Sequence, residues 1–213
     1  MNDLLTAAGR RFARFATRVV VARPALWRLF RRPLRAQFDA LATEWHGMMG
    51  PEALAPLAAG LDRLPGPPVR VLDLGTGTGK AARLVAERFP EAGVVAVDLA
   101  PAMVEQAERL LPQELAGRVR FQVADASALP FEDGAFDLVV LLNMIPFFSE
   151  LARVTAPGGV VVVAHARGPS TPIWTPAETL RERLAPLGFG GFEELAAGTG
   201  TAFLARKQNA RDV

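Results

Sequence analysis

The sequence predicts an α/β fold with a doubly wound, mostly parallel sheet, and three observations carry that expectation. Val69-Arg70-Val71-Leu72-Asp73-Leu74 is a near-continuous apolar run that leads into Gly75-Thr76-Gly77-Thr78-Gly79 and then a helical pattern with Ala81, Leu84, Val85 and Phe89 on one side. Such unbroken apolar strands suit a sheet buried on both faces. Further strands of the same kind follow at Val94–Asp98, Val119–Ala124, Phe136–Leu142 and Val160–Ala166. Acids stand at or just after two strand ends, Asp98 and Asp125, and the carboxyl ends of strands are where open α/β sheets hold ligands.

Half of the 213 residues are hydrophobic, enough to bury the core of one domain with a short extension. Cysteine is absent, which excludes disulfides, thiolate nucleophiles and Cys-based zinc sites and fits a cytoplasmic location. The expected division is a basic helical extension over 1–50, a Pro-rich linker over 51–68, a ligand-binding domain over 69–207 and a tail over 208–213.

The extension is strongly basic. Residues 1–38 hold nine Arg against Asp3 alone, a net of +8, so the remainder of a chain of net +2 carries −6. On a helical wheel Arg11, Arg14 and Arg18 fall on one side and Phe12, Phe15, Ala16 and Val19 on the other. Pro24 restarts the chain, a second short helix is expected to end at Pro33, and a third to run from about Arg35 to Met48. Three readings stay open for this arm: a cap packed on the catalytic domain, contact of residues 1–35 with an anionic membrane or acidic partner, and, least favoured, contact with nucleic acid. The longest apolar run of the arm, Val19 to Ala22, is too short for a signal peptide, and no segment is long enough to span a bilayer. Residues 51–68, with prolines at 51, 56, 65, 67 and 68, read as a short helix and a stiff linker.

The glycine loop that follows the first strand strips side chains where backbone must turn sharply, and the next helix directs its partial positive charge at whatever sits there. The dinucleotide pattern Gly-x-Gly-x-x-Gly fails because its third glycine falls on Lys80. A phosphate-binding loop ending in Gly79-Lys80 fails too, with Leu74 and Ala81 where glycine and a hydroxyl residue are required. Asp98 ends the second strand 23 residues after Gly75, the place from which one carboxylate can hold both hydroxyls of a ribose. The third strand delivers Asp125-Ala126-Ser127-Ala128-Leu129-Pro130-Phe131, and Ala156-Pro157-Gly158-Gly159 forms the turn before the fifth. His165, near that strand's end, is the best candidate for a general base, since neutral imidazole titrates in the useful range. Phe192–Leu195 and Thr201–Ala205 form a strand pair joined through Gly198 and Gly200.

Taken together, Asp73-Leu74-Gly75-Thr76-Gly77-Thr78-Gly79, Asp98, Asp125-Ala-x-x-Leu-Pro-Phe and the Pro-Gly-Gly turn resemble the motifs of the class I S-adenosylmethionine-dependent methyltransferases. The likeness runs from about Val69 to Arg206, with Thr155 standing where the family has Leu. It implies a Rossmann-like, seven-stranded sheet with an antiparallel closing strand. It also implies S-adenosylmethionine as cofactor, S-adenosylhomocysteine as product and no required metal. By the same resemblance Asp73, Gly75, Thr76 and Gly77 cradle the cofactor, Asp98 holds its ribose, Leu99 and Met103 flank its adenine, and Asp125 and Ala126 read the adenine edge. Asn143 and Met144, at the exit of the fourth strand, would stand beside the reactive methyl, Asn143 toward the cofactor and Met144 toward the acceptor. A similar aromatic-acid helix covers the cofactor in many such enzymes, which makes Trp45 a candidate roof over the substrate. The stretch between the fourth strand and the helix carrying Glu150 is shorter than the family usually has, so the arm is expected to supply the missing cover. The function implied is methyl transfer to a small-molecule O, N or C nucleophile. Alternatives are a membrane-peripheral lipid or quinone methyltransferase and a cofactor-binding protein without turnover. The acceptor and the oligomeric state are left open.

Overall fold

A computed structural model describes the backbone of residues 2–209 and the side chains of 7–209; the expected tail 208–213 lies mostly outside them. Seven strands form one sheet in the order β3-β2-β1-β4-β5-β7-β6. These are β1 (Arg70–Leu74), β2 (Gly93–Asp98), β3 (Val119–Val123), β4 (Phe136–Leu142), β5 (Thr155–His165), β6 (Phe189–Ala197) and β7 (Gly200–Lys207). All pairings from β3 across to β5 are parallel, and β7 lies antiparallel between β5 and β6. The Rossmann-like sheet with one antiparallel strand is therefore the fold that the sequence predicts. Order reverses at β1, which pairs with β2 on one side and β4 on the other, and the crevice at that reversal is where such sheets bind ligands.

Alternation along each strand feeds two cores. Val71, Leu138, Val140, Val160 and Val162 face a layer made by α3 (Ala55–Leu61), α4 (Lys80–Arg88) and α5 (Pro101–Leu110). Leu72, Leu74, Val139, Leu141, Val161 and Val163 face α6 (Phe148–Val154), α7 (Ala177–Leu184) and the N-terminal arm. β5 starts at Thr155, so Ala156–Gly159, expected as a turn before the strand, lies within it, where the pairing with β4 shifts register. The Thr155 hydroxyl is fully buried and donates to Leu151 O at 2.6 Å, so the polar atom is satisfied within the core.

The arm is a hairpin of α1 (Asn2–Ala22) and α2 (Trp27–Met48), joined by a single turn of 3-10 helix at Pro24–Leu26. Two expectations are corrected here. Pro33 does not end a helix: α2 runs through it unbroken. Proline there removes one intrahelical bond, at a cost of about 3 kcal/mol. Burial of Trp27, Leu34 and Ala42 on the inner face of the same helix offsets it, each large apolar side chain contributing about 1.5–3 kcal/mol. The buried face of α1 is also rotated from the one expected. Ala13, Ala16, Thr17 and Val20 are inside while Phe15 is 58 % exposed, because the small residues let the helix approach the domain closely. The short helix expected after Pro51 is present as α3, and it packs on the sheet. Leu57 and Leu61 are buried in the second core, and Gly60 lies so near β5 that a Cβ there would stand 2.8 Å from Val162 Cγ1.

Candidate functional site

One cavity opens over the carboxyl ends of β1, β2 and β4. Its floor is the glycine loop. Gly75 and Gly77 have φ of 72° and 54°, which L side chains rarely adopt, and an added Cβ would meet Met144 Sδ at 2.6 Å or Trp45 Nε1 at 3.1 Å. The loop closes on β2: Gly75 N and Thr76 N both donate to Val97 O, at 2.9 and 3.0 Å. Asp98, at the end of β2, completes the floor. Its Oδ2 accepts from Gly77 N at 2.8 Å and its Oδ1 from Ala100 N at 2.9 Å. Burial pushes its pKa above the usual carboxylate range, while these two N–H groups pull the other way.

Asp98, Leu99 and Met103 line the cavity from β2 and α5, and Ala126 lines it from the segment after β3. Asn143 and Met144 line it from the exit of β4. Asn143 is held in a left-handed conformation, φ 55°, with its Oδ1 accepting from Ala166 N at 2.9 Å. A left-handed non-glycine residue costs roughly 1–3 kcal/mol and is a local signature of functional sites. Trp45 lines the cavity from above, packed edge-on against Phe38 at 5.4 Å.

Three assigned residues stand elsewhere. Asp73 lies beneath the loop, fully buried, where Oδ2 accepts from Thr76 Oγ1 at 2.6 Å and Oδ1 has no partner. It shapes the loop without lining the cavity, and burial pushes its carboxyl up to about 7. Asp125 is turned to the arm. Its Oδ1 accepts from Trp27 Nε1 at 2.8 Å and from Ser127 N and Oγ at 2.9 and 2.7 Å, with Arg31 3.8 Å from Oδ2. His165 does not line the cavity; it is buried at the end of β5 beside Thr175, Leu180 and Phe203. Its Nε2 accepts from Thr175 N at 3.3 Å, and desolvation pulls its pKa down to about 4, so it is a neutral packing residue and no base for this cavity.

The sequence reading missed most of the roof. Trp27, Leu34, Phe38 and Trp45 come from one face of α2, at spacings of seven, four and seven that suit a single long helix. The supposed break at Pro33 hid that stripe. Lys80, the first residue of α4, was also missed: its Nζ donates to His46 O at 2.7 Å and to Met49 O, tying the end of α2 to the loop. His46 Nδ1 and Thr78 Oγ1 make a second tie at 3.2 Å.

The residues fit a nucleoside cofactor. Bare glycine backbone, a carboxylate at the adjoining strand end and apolar walls for a flat base share one crevice, and Asp98 keeps acceptor capacity beyond its two backbone bonds. No cluster of three or more His, Asp or Glu suited to a metal ion occurs among the described residues.

Residues 71–159 match the family described as "Methyltransferase domain". A demethylmenaquinone methyltransferase of Thermus thermophilus is 49 % identical over 104 residues, covering 45 % of this chain and 46 % of that protein. A malonyl-[acyl-carrier protein] O-methyltransferase of Halorhodospira halophila is 39 % identical over 150 residues, covering 66 % of this chain and 50 % of that one. The chain thus spans about half the length of these curated relatives. A crystal structure of a SAM-dependent methyltransferase from Aquifex aeolicus superposes with a TM-score of 0.64 at 18 % identity, over 78 % of this chain and 97 % of that one. Sequence match, strand order and cavity position agree, and the chain carries a class I S-adenosylmethionine-dependent methyltransferase domain.

Proposed function

We propose that the protein transfers a methyl group from S-adenosylmethionine to a small, apolar acceptor with an accessible lone pair or electron-rich carbon. One observation carries the reading: the glycine floor, Asp98 and the aromatic face of α2 enclose a single cavity at the point where strand order reverses. The bound cofactor would supply an electrophilic sulfonium methyl with a neutral thioether as its leaving group, and the acceptor would give up its proton to solvent.

The chain's own part is binding and alignment. Asp98 would accept from the cofactor's sugar hydroxyls, Leu99, Met103 and Ala126 would flank its base, and Asn143 and Met144 would bound the reacting end. Trp27, Leu34, Phe38 and Trp45 exclude water from above. Lys80 and Asp98 are the ionisable side chains in the lining, and both are already bonded to backbone. Neither is free to act as a base. Rate enhancement in such a site comes from holding nucleophile and electrophile in line, which is worth up to about 7–11 kcal/mol.

Apolar walls favour an apolar acceptor over a charged one, because a buried ion without a partner is costly. Titration calorimetry with S-adenosylmethionine and S-adenosylhomocysteine should give saturable binding. Product release should then be faster with prenylated or alkylated phenols and hydroquinones than with amino acids or nucleosides. Absence of binding to either ligand overturns the reading.

A further inference from the structure

We infer that the outer face of the α1–α2 hairpin is a docking surface for an anionic lipid bilayer. The hairpin has two faces with different employment. Its inner face is committed to the domain, through Ala13, Ala16 and Val20 of α1 and Trp27, Leu34 and Phe38 of α2. All nine Arg of residues 1–38 are exposed, outside that buried face. Arg31 lies near Asp125, Arg35 near Asp39, and Arg14 reaches Ser170 O. Arg10, Arg11, Arg18, Arg23, Arg28 and Arg32 have no acidic partner among the described residues.

Two large apolar side chains stand among these cations. Phe15 is 58 % and Leu29 62 % exposed, and Phe15 meets Phe30 of the other helix edge-on at 5.9 Å. Leu29 precedes Phe30 in the same helix. Exposed aromatic and aliphatic residues flanked by arginine have the composition that lies in a bilayer interface: apolar groups enter the acyl boundary while guanidinium groups stay at phosphate level. Charge decides among occupants. The arm is +8 while the rest of the chain is −6, so an anionic surface attracts the arm and repels what lies behind it. A nucleic acid would use the arginines and leave Phe15 and Leu29 in water.

The same helix α2 roofs the cavity with its inner face, so a docked hairpin places the roof against the bilayer. An acceptor dissolved in lipid would then meet the protein at the helix that covers its cavity. This route rests on the proposed function; the docking does not.

Vesicle flotation tests the docking without reference to catalysis. The full chain should bind phosphatidylcholine vesicles containing about one third phosphatidylglycerol at least ~10-fold more tightly than pure phosphatidylcholine vesicles. Raising salt from about 0.1 M to 1 M, which shortens the screening length from about 10 to 3 Å, should release most of the protein. The combined variant Arg11→Gln, Arg18→Gln, Arg28→Gln and Arg32→Gln should lose roughly 10-fold or more in vesicle affinity. The variant Phe15→Ser with Leu29→Ser should lose several-fold. Both variants should keep the wild-type melting behaviour and affinity for S-adenosylhomocysteine. Unchanged vesicle binding by the arginine variant overturns the inference. So does tighter binding to short duplex DNA than to vesicles that the Phe15 and Leu29 changes leave untouched.

Discussion

The indole N–H of Trp27 donates to Asp125 Oδ1 at 2.8 Å, across 98 positions of sequence. By this one bond the arm takes the acid that family resemblance assigns to the purine edge. The ring of Trp27 also stands edge-on to Phe147 at 5.2 Å, so the residue is both a packed aromatic and a polar latch. Trp27→Phe keeps most of the packing and removes the donor. A hydrogen bond to a charged acceptor contributes about 1.5–3 kcal/mol. Stability should fall by that order, and amide exchange in α2 should quicken. Asp125→Asn alone should cost less, since an amide oxygen still accepts. In a double-mutant cycle that pairs Trp27→Phe with Asp125→Ala, which does remove the acceptor, the two changes should be strongly non-additive; additivity would show that the bond contributes nothing.

Asp98 is expected to carry much of the cofactor's affinity. Asp98→Ala removes a carboxylate that braces Gly77 N–H and faces the cavity. Loss of charge-assisted bonds of about 1.5–3 kcal/mol means a roughly 10- to 100-fold rise in the dissociation constant for S-adenosylhomocysteine by calorimetry. The circular dichroism spectrum should be unchanged. Wild-type affinity in the variant would remove Asp98 from the site.

Two buried groups tilt stability against pH in opposite directions within one window. Asp73 has a folded pKa near 7 against 3.8 when unfolded, so the folded state binds the extra proton and stability falls as pH rises from about 4 to 7. His165 has a folded pKa near 4 against 6.5, so the unfolded state binds the extra proton and stability falls as pH drops from about 6.5 to 4. Each unit of difference is worth about 1.4 kcal/mol. Asp73→Asn should therefore make denaturant midpoints rise with pH across this window relative to wild type. His165→Gln should make them fall. The same slope in all three proteins would contradict both assignments.

Two glycines should separate stability from binding. Gly60→Ala drives a Cβ to 2.8 Å from Val162 Cγ1, inside the core. Overpacking costs about 1–3 kcal/mol against about 1 kcal/mol gained in helix propensity. A lower melting temperature with unchanged cofactor affinity is expected. Gly75→Ala meets the flexible Met144 side chain at φ 72°, so its main effect should be a reshaped loop and weaker cofactor binding. Matching losses of affinity in both variants would count against the loop as the cofactor floor.

The legible parts were those decided locally. Apolar runs of strand length, a glycine triplet between strand and helix, and an acid 23 residues later are read from neighbours in sequence, and they placed β1, β2, α4, Gly77 and Asp98. The arm was harder. Amphipathic periodicity said that α1 had an inside, yet Phe15 went out because small Ala13 and Ala16 permit a closer approach than an aromatic ring allows. Pro33 looked like a stop because its cost is local and certain, whereas the burial that outweighs it exists only once α2 meets the domain.

What the sequence determined by itself is the parallel scaffold, the order of its strand-end motifs and the charge of the arm, since each depends on periodicity and composition over a few residues. Tertiary packing alone decided which way the side chains at those strand ends turn. Asp125 accepts from Ser127, close by in sequence, and the folded arm adds Trp27 from afar as a further donor to the same oxygen. His165 shares the parity of Val161 and Val163, so it turned toward the loop at Thr175. A strand end offers two opposite directions one residue apart, and only the layer packed against it chooses between them.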